Sequence, residues 1–483
     1  MQNYDVIIVG GGAVGCAVAY TLSQYDLKVA LLERNGDVAM GTSGKNSAVV
    51  HAGFNNRPGS LMAHLCVDGN QHFAEICHRL DVPYRACGKL VVGFDDQDME
   101  ILRGLVETGR QNGCRGLELI DQAEMQRLEP GMGGVGAMFS KSTAITNPFL
   151  YTIHLCEAAM LGGVECFMNQ EVCKIEPQPN GFAVLTQTET YRCKTLINAA
   201  GLYSDKVAAM AGDDRFCIYP CRGEYLILDQ HASTMISRPI YPAPHKGVGG
   251  LGVHLTTTMS GNVLIGPNAE YIDDKNDYAT KPAVLEQLFA EAQQLCPQLT
   301  RNLIIGQYTG IRSKLVAKGE KNFGDFIIEE SDRVPGLINL IGIESPGLTA
   351  SLPIARMVAD IIGRKQELRP NGQFQAEYRG PVRFREQSRE AQDALIAQNP
   401  DYGEIVCRCE SVTKAEIVQA LHNPLGAHSI VSIKNRLRAT MGRCQGGYCT
   451  PKIVNLMMEE LGVAPQEIDF RHSGDMPFPG RVK

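Results

Sequence analysis

Four cysteines near the end of the 483-residue sequence form two close pairs, Cys407-Arg-Cys409 and Cys444-Gln-Gly-Gly-Tyr-Cys449. Four thiolates suit either zinc or an iron–sulfur cluster. Structural zinc usually takes paired C-x-x-C knuckles, and neither pair has that spacing. Lys434, Arg436, Arg438 and Arg443 add positive charge nearby, which favours the thiolate form. At the opposite end, Gly10, Gly12 and Gly15 stand in G-x-G-x-x-G spacing. Gly10 permits a tight turn, Gly12 lets a pyrophosphate approach the backbone, and Gly15 lets a helix pack close to its strand. Ala13 and Val14 open that helix, whose N-terminus offers unpaired N–H groups to phosphates. Glu33, followed by Arg34, can accept hydrogen bonds from a ribose diol. The chemistry at this end is dinucleotide binding.

These residues need elements to hold them. Residues 4–9 are a continuous apolar run, as in a strand buried on both faces of a parallel sheet. A helical stretch and a second apolar strand, residues 28–32, lead to Glu33, the order a dinucleotide fold requires. The polar, glycine-rich loop at 41–56 holds Thr42, Ser43, Asn46, Ser47 and His51 and can pass close to a flat cofactor. Strands are expected near 84–94, at 164–176, where Val172 and Cys173 lie, and at 194–201. The last ends in Ala200 and Gly201, small residues that let the backbone approach a ligand at the carboxyl edge of a sheet. Residues 215–330 read as an antiparallel sheet. An apolar strand at 337–342 then leads through Gly347, Leu348 and Thr349 into a helix, a second strand–loop–helix that can face the same cofactor. Residues 366–403 are charged and Gln-rich and read as a linker containing some helix. Beyond them, Thr413 and Glu416 form a capping box for a helix at 414–422, and Thr450 and Pro451 are suited to cap and open a helix running to Leu461.

The balance of the sequence narrows the classes. Net charge is −7, which gives no electrostatic case for nucleic acid or an anionic membrane. No apolar run approaches the ~20 residues that span a bilayer, and the first strand begins too early for a signal peptide. The remaining cysteines are scattered singly through apolar segments, a pattern of reduced core thiols in a cytoplasmic protein.

Together the fingerprint at 4–33, the TSGKNSAVVHAG loop, the INAAG strand, Gly310–Arg312 and the IESPGLTAS segment resemble the FAD-dependent oxidoreductases of the D-amino-acid-oxidase type. The resemblance spans about residues 1–365. It implies FAD as the cofactor, and an α/β fold in which a Rossmann-like FAD-binding domain is interleaved with an antiparallel-sheet substrate domain. The expected FAD-binding segments are about 1–80, 143–213 and 331–365, with the substrate domain at about 81–142 and 214–330. The cysteine segment, about 404–470, resembles the small helical [2Fe-2S] domain of bacterioferritin-associated ferredoxins. Within the family, RGEY (222–225), LGVHLT (251–256) and GPNA (266–269) are similar to L-2-hydroxyglutarate dehydrogenases. The loop form and the cysteine segment are similar to the large subunit of anaerobic glycerol-3-phosphate dehydrogenase.

What the resemblance implies is a dehydrogenase that oxidises sn-glycerol 3-phosphate, or alternatively a 2-hydroxy acid such as L-2-hydroxyglutarate. An amino- or imino-acid dehydrogenase and a non-catalytic electron-transfer flavoprotein are further readings. For an alcohol donor, a base near the hydroxyl takes its proton as hydride leaves; His51 and His254 are the candidates. Arg312 matches the family's arginine for a substrate carboxylate or phosphate, with Arg222 and Lys314 as secondary cations. The expected partners are a small anionic alcohol as substrate and an electron-accepting flavoprotein or quinone-linked subunit in a heteromeric complex.

Overall fold

The computed structural model describes residues 2–245, 252–320, 324–471, 475 and 477; Leu251, in the LGVHLT motif, and His472 lie outside them. Its first layer is an eight-stranded sheet centred on the strand Gln2–Val9. This strand runs parallel to Val29–Leu32 on one side and Thr190–Asn198 on the other. Val9 is in register with both Leu32 and Asn198, so the chain leaves three strands at one level of the carboxyl edge. Gly10, Glu33 and Ala199–Gly201 therefore meet there, although up to 191 positions of sequence separate them. Leu337–Ile341 extends the same parallel set beyond Thr190–Asn198. The helices Ala13–Leu22, Leu61–Arg79, Pro148–Leu161 and Gly347–Gly363 bury one face of this sheet in the largest core cluster.

A second, nine-stranded and mostly antiparallel sheet carries the substrate side. Its long strands Tyr219–Leu228 and Ile304–Lys314 pair along almost their whole length, setting Arg312 opposite Cys221 and Gly310 opposite Gly223. The antiparallel reading of 215–330 holds for most of the strands described there, but Ile240–Pro242 pairs in parallel with Lys89–Gly93, and Ile327–Glu330 joins the first sheet, antiparallel to Leu337–Ile341. The helix Pro282–Leu295 covers the outer face.

Residues 366–403 do not hang clear of the folded body. Asn371 Nδ2 donates to the carbonyls of Ser23 and Gly162 at 2.9 and 3.0 Å, and Tyr378 is buried against His154 and Glu157. The only regular helix in this stretch is Arg389–Gln398, capped by Ser388.

The last unit is a short hairpin (Ile405–Cys407 with Val412–Thr413) and three helices, Lys414–His422, Ile430–Leu437 and Thr450–Leu461, around Ile417, Ile433, Ile453 and Met457. The capping box of Thr413 and Glu416 is formed. At the third helix the cap differs from expectation. Cys449 itself is the N-cap and Thr450 the first helical residue, so the helix starts one residue earlier than a Thr cap followed by Pro would place it. Among the described residues no helix is long and apolar enough to cross a membrane.

Candidate functional site

One large cavity, about 1120 Å³, lies between the two sheets and reaches the carboxyl edge of the first. The glycine turn forms one end of it. Gly10 has φ +114°, and a Cβ there would lie 2.5 Å from the Ala199 carbonyl oxygen. A Cβ on Gly15 would meet the Gly10 carbonyl at 1.9 Å, so the helix can start this close to the strand only with glycine. The Ala13 amide donates to Ser43 Oγ at 2.8 Å, tying the 41–56 loop to the helix N-terminus. Glu33 is buried; its Oε2 accepts from the Gly11 amide at 2.6 Å and its Oε1 from the Asn35 amide at 2.9 Å. Burial raises its pKa, and the two amides oppose that rise. Arg34 lies over the Tyr203 ring, 4.1 Å from its centre.

Of the expected cofactor residues, Gly10, Gly12, Ala13, Val14, Glu33, Arg34, Thr42, Ser43, Asn46, Ser47, Ala200, Gly201, Gly347 and Leu348 all line the cavity, as does Val172, the neighbour of the expected position 173. Gly15, Cys173 and Thr349 do not. Gly15 serves the packing just described, Cys173 is an exposed strand residue, and Thr349 Oγ1 accepts from the His51 amide at 3.0 Å. A backbone cradle without side chains, a helix N-terminus and a buried acid at the next strand end are what a dinucleotide's pyrophosphate and ribose require, so these residues fit FAD.

The other end of the cavity collects His51, His254, Arg312 and Lys89. His254 is stacked on Tyr241, with ring centres 3.8 Å apart. Its Nδ1 lies 3.0 Å from the Gly252 carbonyl, which can only accept, so Nδ1 carries the proton and Nε2 is a bare acceptor. That Nε2 faces Ser47 Oγ at 3.4 Å. Burial drives its pKa well below the usual histidine value. His51 Nε2 lies 3.4 Å from Ser345 Oγ, and burial, helped by Lys89, lowers its pKa to about 3. Both imidazoles are neutral near pH 7.

Three cations separate cleanly. Arg222 is buried and ion-paired with Glu270 and Asp277 at 2.7 and 2.6 Å, and Lys314 is paired with Glu344 at 3.0 Å. Arg312 instead donates to the Asn268 carbonyl at 3.2 and 3.1 Å, with no carboxylate in ion-pair range among the described residues. Sequence reasoning passed over Lys89. It opens a fully buried strand, its Nζ lies 3.7 Å above the Tyr241 ring, and burial lowers its pKa to about 7. A lysine fused to an apolar β run was the available signal.

The C-terminal cysteines are half in and half out. Cys407 and Cys449 are buried; Cys409 and Cys444 are exposed. Among the described residues no three His, Cys, Asp or Glu side chains are placed to hold a single metal ion. The thiols pair instead: Cys444 interacts with Cys409, and Cys449 with Cys407. The amides of Tyr448 and Gly446 donate toward Cys444, lowering its pKa, while burial raises Cys449 to about 11. The surrounding backbone enters the left-handed region at Arg438, Thr440, Gln445 and Gly446. For β-branched Thr440 this is a strained conformation, of the kind kept where a loop must aim its amides inward. Zinc needs four ligands around one point; two pairs of thiols with inward amides fit the two irons of a [2Fe-2S] cluster.

The four nearby cations do not act as one group. Arg436 is buried and paired with Asp37, 3.9 Å from Glu157, and also donates to the Gly426 carbonyl. Arg438 binds Glu410 and Asn262. Only Arg443 stands out in solvent. Arg436 and Arg438 thus fix the cysteine unit to both larger sheets' domains.

Comparison with known proteins bears on both ends. A model of the FAD dependent oxidoreductase family matches residues 5–361, and one of the BFD-like [2Fe-2S] binding domain matches residues 405–459. A glycerol 3-phosphate dehydrogenase of Caloramator mitchellensis is 38% identical over 99% of both chains. An L-2-hydroxyglutarate dehydrogenase of Indibacter alkaliphilus is 30% identical over 74% of this chain and 98% of its own. Among solved structures, the FAD-bound L-alpha-glycerophosphate oxidase of Mycoplasma pneumoniae superposes with a TM-score of 0.74 at 30% identity, covering 79% of this chain and all of that one.

Proposed function

The chain belongs to the FAD dependent oxidoreductase family, as a dehydrogenase with a [2Fe-2S] domain, and we propose that its substrate is sn-glycerol 3-phosphate, oxidised to dihydroxyacetone phosphate. The observation that carries this reading is Arg312: a half-buried guanidinium facing the cavity with no carboxylate in ion-pair range among the described residues. A phosphate accepts a bidentate guanidinium contact, and Lys89 supplies a second cation. His254 Nε2, held bare by the Gly252 carbonyl, accepts the hydroxyl proton; the incoming anion raises its low pKa. His51 and Ser345 position the hydroxyl from the other side. Gly10, Gly12, Ala13, Glu33 and Ser43 hold the dinucleotide, and FAD when bound supplies the hydride acceptor. We place the FAD-binding segments at about 1–80, 143–213 and 331–365, and the substrate domain between them. The electrons leave through the cysteine unit to a partner protein in the cytoplasm.

L-2-hydroxyglutarate is the second reading. It is favoured by the similarity to L-2-hydroxyglutarate dehydrogenases over three quarters of the chain, and its carboxylate would use the same Arg312. Anaerobic mixing of holoenzyme with each compound decides between them. Glycerol 3-phosphate should bleach the flavin, and Arg312→Met should raise the concentration needed by about 100-fold or more, the effect of losing a charge-assisted buried contact. Bleaching by L-2-hydroxyglutarate alone refutes the proposal.

A further inference from the structure

The outer side of the cysteine unit forms a small exposed face. Cys409 and Cys444 are at the surface while Cys407 and Cys449 are in the core, so a cluster held by all four has one protein-facing and one solvent-facing side. Around the solvent-facing pair lie Arg408, Arg443, Tyr448 and Lys452. The Arg408 guanidinium stacks 4.5 Å from the Tyr448 ring centre, and Lys452 Nζ lies 5.2 Å from it. Tyr448 is one of few large apolar side chains left exposed, at 37%. Arg443 is 80% exposed, with Asp229 at 3.7 Å. Among the described residues Arg408 and Lys452 have no carboxylate in ion-pair range, and Glu410, the acidic residue beside Cys409, is buried between Arg385 and Arg438. A chain of net charge −7 thus presents a locally positive face with an aromatic centre.

We propose that this face docks an acidic one-electron carrier protein, with Arg408, Arg443 and Lys452 steering it and Tyr448 as the contact at its centre. The proposal rests on the reading that electrons exit through the cysteine unit. Charge steering acts on encounter rate and selects against partners of like sign. Tyrosine beside arginine is the composition of interface anchors, and the exposed thiol pair Cys409 and Cys444 lies at the surface beside them. The balance is simple. An alcohol becoming a ketone gives up two electrons and two protons, and each oxidised carrier takes one electron, so two encounters clear one turnover.

The test bypasses the substrate, so that its failure is distinct from a wrong substrate assignment. Holoenzyme reduced with dithionite is mixed with an oxidised acidic b-type cytochrome, a basic c-type cytochrome, or neutral benzoquinone. Binding of the oxidised acidic cytochrome to the oxidised enzyme is titrated in parallel. The acidic carrier should be reduced at least ~10-fold faster than the basic one at low salt, with the advantage lost at ~0.5 M salt. Arg408→Glu/Arg443→Glu/Lys452→Glu should abolish both the advantage and the binding, with benzoquinone reduction and iron content unchanged. Arg443→Gln alone, at a site too exposed to affect folding, should show a smaller loss of the same kind. Equal rates for the two cytochromes, a triple variant that binds as before, or association with anionic vesicles in place of the acidic protein overturns the proposal.

Discussion

The two ends of this molecule both concentrate positive charge, and they do so in opposite ways. At the cavity, Arg312 and Lys89 are enclosed, beside histidines that burial keeps neutral. At the cysteine unit, Arg408 and Arg443 stand in water around two exposed thiols. A buried cation without a counter-ion is costly, and it persists where a small ligand of opposite charge completes it; its grip is short-ranged and insensitive to salt. Exposed cations give a weak, salt-screened pull over a distance, suited to a protein that must arrive and leave. One end holds a substrate and the other meets a partner.

The comparison can be broken most sharply at the thiols. Cys444→Ser should abolish bound iron and sulfide, measured chemically, while FAD content and anaerobic flavin bleaching stay within about twofold, since metal retention follows its ligand set. If FAD is lost as well, the two ends are not separable. A smaller effect tests what joins them. Arg436→Met leaves Asp37 buried and unpaired, with Glu157 close by, and should cost about 3–5 kcal/mol in urea unfolding. Asp37→Asn/Arg436→Met should recover part of that loss. An additive double variant would show that the pair is not coupled.

The smallest effect is the acid response, and it should belong to the enclosed regions. His51 and His154 have pKa values lowered by burial from 6.5 to about 3 and about 4. The unfolded chain therefore binds protons that the folded chain does not between pH 6.5 and those values. Stability is full above about 6.5 and falls as pH drops through that window. The slope of the urea midpoint against pH between 6.5 and 4 should flatten in His154→Asn, a position remote from the cavity. An unchanged slope would assign the acid response elsewhere.

Much of this was legible in residue spacing. Gly10 to Gly15 and Glu33 act within one strand–helix–strand unit, so local pattern was enough, and fourteen expected cofactor positions line the cavity. The capping box at Thr413 and Glu416 was equally local. Reading fell short where a side chain's role depends on a distant partner. Arg222, Lys314 and Arg312 look alike in sequence, and only the carboxylates Glu270, Asp277 and Glu344 distinguish two that are neutralised from one that is not. Lys434 to Arg443 read as one basic field, yet Arg436 is spent on Asp37, nearly 400 positions away.

The sequence by itself determined the glycine turn, the helix starts and the spacing of the four C-terminal thiols, because these are set by neighbours a few residues apart. The tertiary structure alone decided which cations remain unpaired, which histidine nitrogen is bare, and which cysteines face water. Those are questions of burial and of partner, and burial is a property of the packed chain: the register of Tyr219–Leu228 against Ile304–Lys314 and the clamp of Arg436 on Asp37 settle them.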